Sequence, residues 1–176
     1  MKAIAQFTRG WWTMEAEAPF KRNKTGWSIT ILNILMALNS TYVFLGFLKV
    51  GVDGWLMMNS CAPSIALFVA GFLLESPILM IASSVLMFRY GTLGLFVFSW
   101  SGTNLIAQVG HILMTIAVIY TLIDLLRNRR WKSLGLGLLL GTAILIPYLI
   151  AQERWFAVRP GALENLFSGD YGTGKP

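Results

Sequence analysis

Charged residues are scarce in this chain. Asp, Glu, Lys and Arg make up 12% of its 176 residues, whereas hydrophobic residues make up 56%. A soluble domain carries about 25% charged residues, so this chain has too little polar surface to cover an apolar core in water. The composition excludes an ordinary soluble domain and predicts that much of the apolar surface faces lipid.

Cysteine and histidine each occur once, as Cys61 and His111. A single cysteine excludes an internal disulfide, and no cluster of Cys, His and carboxylates has the make-up of a zinc or iron site. The motifs of zinc proteases, serine hydrolases and phosphate-binding loops are also missing. We therefore predict no catalytic residue, no metal and a non-enzymatic role, and the sequence leaves the cofactor unknown.

Long apolar runs are what the sequence does contain. A helix needs about 20 residues to cross a bilayer at 1.5 Å per residue, and five runs have that length. They predict an all-α integral membrane bundle over residues 25–151, in which Pro63 kinks the second span. The predicted spans are about 28–49, 55–74, 78–100, 105–126 and 133–151.

Two flanking segments complete the predicted organisation. In residues 1–24, apolar side chains recur at helical spacing with polar ones on the other faces, which predicts an N-terminal amphipathic helix in the headgroup region. The alternative for this segment is a disordered basic tail. Residues 152–176 are predicted to form a polar tail.

Basic residues predict the orientation. Residues 1–28 carry five Lys and Arg, and four more surround the connection after the fourth span: Arg127, Arg129, Arg130 and Lys132. Five crossings place both groups on one side, whereas four place them on opposite sides. The positive-inside rule makes that side cytoplasmic. We therefore predict a multi-pass protein of the plasma or inner membrane, with its N-terminus in the cytoplasm and its C-terminus on the opposite side. The lipid bilayer is a predicted partner, and nucleic acid is not.

Arg89 is the main intramembrane candidate, since it lies at the centre of residues 78–100. This run either crosses with a buried arginine or breaks at Tyr90-Gly91 and re-enters. An arginine at bilayer depth costs about 2.5–3.5 kcal/mol on insertion scales and normally meets a partner or water. Its possible partners are backbone carbonyls, Asn or Ser side chains, water, a lipid phosphate or an acid on another subunit. Alternatively, Arg89 lines a path for anions.

A polar stripe marks the fourth span. Asn104, Gln108, His111 and Thr115 recur at helical spacing and share one face. Such residues commonly hydrogen-bond between membrane helices. The functional alternatives concern His111. It could transfer protons or contact a ligand, or it could be an axial ligand to a porphyrin-type pigment.

The glycine pair Gly137 and Gly141 in the fifth span makes a groove for a second helix. Packing within the same bundle is the favoured interpretation, and a dimer contact is the alternative.

These features favour a non-catalytic subunit or scaffold of a larger membrane complex, docked to other membrane subunits or to itself. One alternative is an oligomeric transporter or channel for small solutes or anions, which would use Arg89 and the polar stripe. The other is a haem- or pigment-binding subunit with His111 as ligand.

Overall fold

The computed structural model describes residue 17, residues 19–102, residues 104–162 and residue 164. This part of the chain is helical and contains no strand, so the predicted all-α class is confirmed. Two π-helical segments extend or join the α-helices, Tyr42–Phe47 after α1 and Phe88–Thr92 between α4 and α5. The α-helices are α1 (Lys24–Thr41), α2 (Val52–Met58), α3 (Cys61–Leu73), α4 (Pro77–Met87), α5 (Gly94–Val97), α6 (Asn104–Arg127) and α7 (Trp131–Ala157).

Four helical stretches are long and apolar enough to cross a membrane, namely Lys24–Gly46, Pro77–Val97, Asn104–Arg127 and Trp131–Ala157. Helices α2 and α3 meet the same criterion only as a pair, and the pair is bent by 80°. The described residues therefore hold four such helices, or five when the bent pair counts as one span. These apolar helices are compatible with a multi-pass membrane protein.

The predicted second span, residues 55–74, is not a single helix. Its backbone leaves the helical region at Asn59, with φ −111° and ψ 57°, and resumes as α3 at Cys61. Pro63 lies in the first turn of α3, where its missing N–H needs no partner. The kink therefore lies at Asn59-Ser60 and not at the proline.

The predicted third span, residues 78–100, is continuous through Arg89. Tyr90 and Gly91 lie in the π-helical segment Phe88–Thr92, so the helix widens there without breaking. A Cβ on Gly91 would lie 2.7 Å from the Met114 Cβ, which means that α6 packs directly against this widened turn. π-Helical insertions of this kind occur frequently at functional sites.

One end of the bundle brings together three segments that are distant in sequence. Arg22 pairs with Glu75 at 2.7 Å, which joins the residues before α1 to the α3–α4 connection. Arg130 Nη2 donates to the Pro19 carbonyl at 3.1 Å, which brings in the α6–α7 connection. We refer to this as the basic end.

The opposite end joins α2 to the last turns of α7. Trp155 Nε1 donates to Asp53 Oδ2 at 3.1 Å, and Arg159 approaches the same oxygen at 3.4 Å. Helix α2 therefore begins at this end of the bundle, whereas α3 finishes beside Glu75 at the basic end.

The core lies between α1, α3, α4 and α6. Phe68, Phe72, Met80, Met87 and Met114 are almost fully buried there. The outward faces of α1, α6 and α7 are rich in exposed leucine and isoleucine, as expected for helices that lack water on their outer side.

Parts of the predicted flanks lie outside the described residues. The predicted amphipathic helix falls almost entirely on residues 1–16, and the end of the predicted tail falls on residues 165–176. The fifth apolar run continues as helix α7 to Ala157, beyond the predicted limit of 151. The boundaries of the three predicted regions stay predictions.

Candidate functional site

The break between α2 and α3 lies between two cavities that share the lining residues Met58, Cys61 and Phe98. The larger one, here called the cleft, has a volume of about 360 Å³ and opens beside α5 and α7. The smaller one, here called the inner cavity, has a volume of about 100 Å³ and lies between α1 and α6. Irregular backbone at membrane depth is tolerated where it lines such cavities.

Gln152 forms the polar floor of the cleft. Its Nε2 donates to the Met57 carbonyl at 2.6 Å and to Ser60 Oγ at 2.7 Å, and its Oε1 accepts from the Tyr90 hydroxyl at 2.8 Å. Tyr148, one turn earlier on α7, donates to the Leu56 carbonyl. Helix α7 therefore supplies hydrogen bonds to carbonyl groups that the break in the second span leaves without helical partners.

Arg89 projects from the π-helical segment and is exposed. Its guanidinium carbon lies 5.7 Å from the centre of the Tyr90 ring, and it forms no ion pair within the described part of the chain. Three carboxylates at the bundle ends are paired elsewhere: Asp53 with Arg159, Glu75 with Arg22 and Asp124 with Arg130.

Glu153 also lines the cleft, and sequence reasoning missed it. The sequence places it in a polar tail after residue 151, but α7 continues past it to Ala157. Helical spacing puts Glu153 on the same face of α7 as Leu149, but only the structure shows that this face lines the cleft.

The polar stripe on α6 is hydrogen-bonded within the bundle, and three of its four residues, Asn104, Gln108 and His111, are buried. Gln108 Nε2 donates to the Phe98 carbonyl at 2.9 Å, and Gln108 Oε1 pairs with His111 Nδ1 at 2.9 Å. Asn104 Nδ2 donates to Ser99 Oγ at 3.1 Å. These bonds fasten α6 to the chain that follows α5.

The last member of the stripe extends this contact one turn further. Thr115 Oγ1 donates to the His111 carbonyl at 2.9 Å and lies 3.0 Å from Thr92 Oγ1. The structure thus brings all four residues of the predicted stripe together on one side of α6, against Thr92 and residues 98–99.

His111 has little free space around its ring. A Cβ on Gly94 would lie 2.8 Å from His111 Cε1, and the Phe98 ring centre is 5.3 Å away. The inner cavity beside it, about 100 Å³, is smaller than the roughly 300–1,000 Å³ typical of ligand pockets. A porphyrin does not fit at this histidine in the observed arrangement.

Two polar groups in the inner cavity make no hydrogen bond within the described part of the chain, Ser40 Oγ and Asn59 Nδ2. The cavity volume of about 100 Å³ exceeds the roughly 10–15 Å³ that one water molecule needs. Water has the size and the donor and acceptor groups to pair with both side chains.

The glycine pair on α7 packs within the bundle. A Cβ on Gly137 would lie 2.6 Å from the Ile81 Cβ, and one on Gly141 would lie 2.8 Å from the Ala82 carbonyl oxygen. Helix α4 therefore occupies the groove that the two glycines make, which is the first of the two interpretations from sequence.

An apolar groove of about 460 Å³ runs between α4, α6 and α7. Its lining residues include Phe88, Leu122, Leu138 and Leu145, and Arg89 also lines it. Within the described residues, no group of three or more His, Cys, Asp or Glu side chains is placed to hold a metal ion.

No family model, no curated protein and no solved structure matches this chain. The cleft, the inner cavity and the apolar groove are therefore the features from which a function can be inferred.

Proposed function

We propose that this chain is a five-span protein of the plasma or inner membrane with its N-terminus in the cytoplasm and its C-terminus on the opposite side. The contacts at the two ends of the bundle support this arrangement. Arg22 meets the α3–α4 connection at the basic end, and Glu17 and Pro19 meet the α6–α7 connection there. A cytoplasmic basic end agrees with the positive-inside rule.

Within that membrane the chain acts as a non-catalytic subunit or scaffold of a larger complex, docked to other membrane subunits or to itself. The bonding of the polar stripe supports this role most directly. Asn104, Gln108 and His111 direct their polar groups to neighbouring segments of the same bundle. Side chains committed to holding helices in place favour a structural role over a chemical one.

The apolar groove is the proposed docking face, and a matched pair of variants tests it. Leu138 lines the groove, whereas its neighbour Leu139 is exposed outside it. We expect tagged protein extracted in mild detergent to retain other chains, to lose them with Leu138→Trp, and to keep them with Leu139→Trp. A wild-type protein that is stable and runs alone at 19.6 kDa plus detergent contradicts the proposal.

Binding and movement of a small solute or anion by an oligomer is the second candidate function. The broken second span favours it, because discontinuous helices beside a midplane site are a recurrent feature of transporters. Arg89 in the cleft would attract the anionic group. Chloride and phosphate uptake into proteoliposomes, with Arg89→Gln as the test variant and Arg154→Gln as the control, measures this function.

The third alternative, a haem- or pigment-binding subunit, has less support because the space at His111 is small. A visible spectrum of the purified protein tests it. We expect no absorbance band beyond that of the aromatic residues, and a Soret band that His111→Ala abolishes would restore this alternative.

A further inference from the structure

Two opposite charges line the cleft and no ion pair joins them. Arg89 extends from the π-helical segment and Glu153 from the last turns of α7, and both are exposed. Within the described residues the ion pairs are Arg22–Glu75, Arg130–Asp124 and Arg159–Asp53. Both charges are therefore available to a molecule that enters the cleft.

The two charges lie at different depths. Arg89 is about 18 Å along the helix from Pro77 and about 12 Å from Val97, at 1.5 Å per residue. Glu153 is about 6 Å from the end of α7 at Ala157. The cationic side chain is thus the deeper of the two, and the anionic one is close to the end opposite the basic end.

The surroundings of the cleft suit a small organic molecule. Its volume of about 360 Å³ is within the range of about 300–1,000 Å³ for ligand sites. Leu149, Phe156 and Val97 supply apolar walls, and the bonded set Tyr90, Gln152 and Ser60 supplies a fixed polar floor. Fixed polar groups in a mainly apolar cleft are the usual make-up of such sites.

We propose that the cleft binds a small zwitterion, with its acidic group at Arg89 and its ammonium group at Glu153. Arginine recognises phosphate and carboxylate oxygens through two parallel N–H donors, and the glutamate carboxylate accepts hydrogen bonds from an ammonium group. A ligand with only one charge would leave the other side chain unpaired. Free amino-alkyl phosphates and the headgroup of phosphatidylethanolamine share this chemistry.

Thermal unfolding of the full chain in an uncharged maltoside detergent tests the proposal. Phosphoethanolamine is the soluble probe, and inorganic phosphate and ethanolamine each present one of its two charges. We expect phosphoethanolamine to raise the midpoint of unfolding in a saturable manner, because a ligand that binds the folded state stabilises it by mass action. The two single-charge probes should cause a smaller shift or none.

Variants then locate the site. Arg89→Gln and Glu153→Gln should each weaken the apparent affinity about tenfold or more, since each removes a charged hydrogen bond. Arg154→Gln changes the neighbouring exposed arginine outside the cleft and should leave the affinity unchanged. Val97→Trp should fill the cleft without touching either charge, whereas Phe96→Trp, next in sequence but outside the cleft, should not interfere.

The source of the zwitterion is read from a second set of probes. If dioleoylphosphatidylethanolamine shifts the midpoint and phosphoethanolamine does not, and the shift still requires Arg89 and Glu153, the occupant is a lipid headgroup. If phosphoethanolamine shifts it, a free solute suffices. A shift of equal size with inorganic phosphate alone, a shift that survives Glu153→Gln, or no shift with either zwitterion overturns the proposal.

Discussion

The Tyr90 hydroxyl donates to Gln152 Oε1 at 2.8 Å, across 62 positions of sequence. This bond joins the π-helical segment after α4 to α7, and the same glutamine reaches Ser60 at the break in the second span. The side-chain amide of Gln152 on α7 therefore contacts both the π-helical segment and the break between α2 and α3. Gln152 thus links Tyr90 and Ser60, and all three residues line the cleft.

Replacing Tyr90 with phenylalanine should destabilise the protein by about 1 kcal/mol, because one hydrogen bond is lost and the Gln152 oxygen loses its donor. The free energy of unfolding in mixed micelles measures this effect. Tyr42→Phe is the control, since Tyr42 is 71% exposed and its hydroxyl makes no hydrogen bond within the described residues. Equal stability of the two variants would show that the Tyr90 bond does not hold the cleft.

The variant Gly141→Ala should destabilise the bundle by about 1–3 kcal/mol, which is the usual effect of overpacking. The nearest atom is the Ala82 carbonyl oxygen at 2.8 Å, and backbone cannot move aside easily. Gly110→Ala is the matched control, because a Cβ there meets only the flexible end of Met36 at 3.3 Å and gains helix propensity.

The two glycine variants should also leave the oligomeric state unchanged. Gly141 faces α4 of its own chain, so the size of the purified particle in gel filtration should not change with Gly141→Ala. A loss of association without a loss of stability would assign this glycine to a contact between chains.

Two ion pairs of the basic end should differ strongly in their effect on stability. The Arg130 side chain is 3% exposed and pairs with Asp124 at 2.8 Å. Removing one partner of a buried pair costs about 3–5 kcal/mol because the other charge stays buried. We expect Asp124→Asn to approach this range in chemical unfolding.

Glu75→Gln provides the comparison for that prediction. Arg22 and Glu75 are 39% and 43% exposed, and exposed pairs contribute about 0–1 kcal/mol. If Glu75→Gln destabilises the protein as much as Asp124→Asn, then the buried position of Arg130 is not what stabilises the basic end.

Gly94 and His111 should behave as a coupled pair. Gly94→Ala places a methyl group 2.8 Å from the imidazole and should destabilise the protein when His111 is present. In a His111→Ala background the same methyl group meets open space, so its effect should fall by about 0.5–3 kcal/mol, the range for residues in contact. A double-mutant cycle of unfolding free energies measures the difference, and additivity of the two changes would contradict the packing of His111.

Hydropathy and spacing predicted the helical class and the polar stripe from sequence. Apolar runs such as 105–126 have the length of a membrane-spanning helix, which predicts the helical class. Asn104, Gln108, His111 and Thr115 share a face because the helical period is fixed. Both inferences depend on local geometry alone.

The break in the predicted second span and the cleft could not be predicted from sequence, because both depend on contacts between residues that are distant in sequence. In the sequence, Asn59 and Ser60 interrupt an apolar run, and Pro63, three residues after Ser60, is a signal for the start of a helix. The same residues are also consistent with one continuous span that is kinked. What stabilises the break is Gln152, which is 92 positions away from Ser60. Glu153 was missed for the same reason, since its role depends on how far α7 extends.

Labelling of single cysteines should determine the number of crossings and the orientation. In a Cys61→Ala background, we expect a membrane-impermeant maleimide to label Val52→Cys and Ser101→Cys in intact cells, because both positions are exposed at the end opposite the basic end. Glu75→Cys and Asn128→Cys, which lie at the basic end, should react only after permeabilisation. The basic end carries Arg22 and the α6–α7 connection, which the positive-inside rule places in the cytoplasm.

The labelling pattern separates the alternatives without reference to function. Labelling of Val52→Cys and Glu75→Cys on the same side would make α2 and α3 a re-entrant loop and reduce the crossings to four. If Glu75→Cys and Asn128→Cys react in intact cells, and Val52→Cys and Ser101→Cys react only after permeabilisation, the protein has five crossings in the reverse orientation. Because Glu75 lies beside Arg22, and Asp53 lies beside Trp155 at the far end of α7, we expect the bent pair to separate positions 52 and 75 by the full thickness of the bilayer.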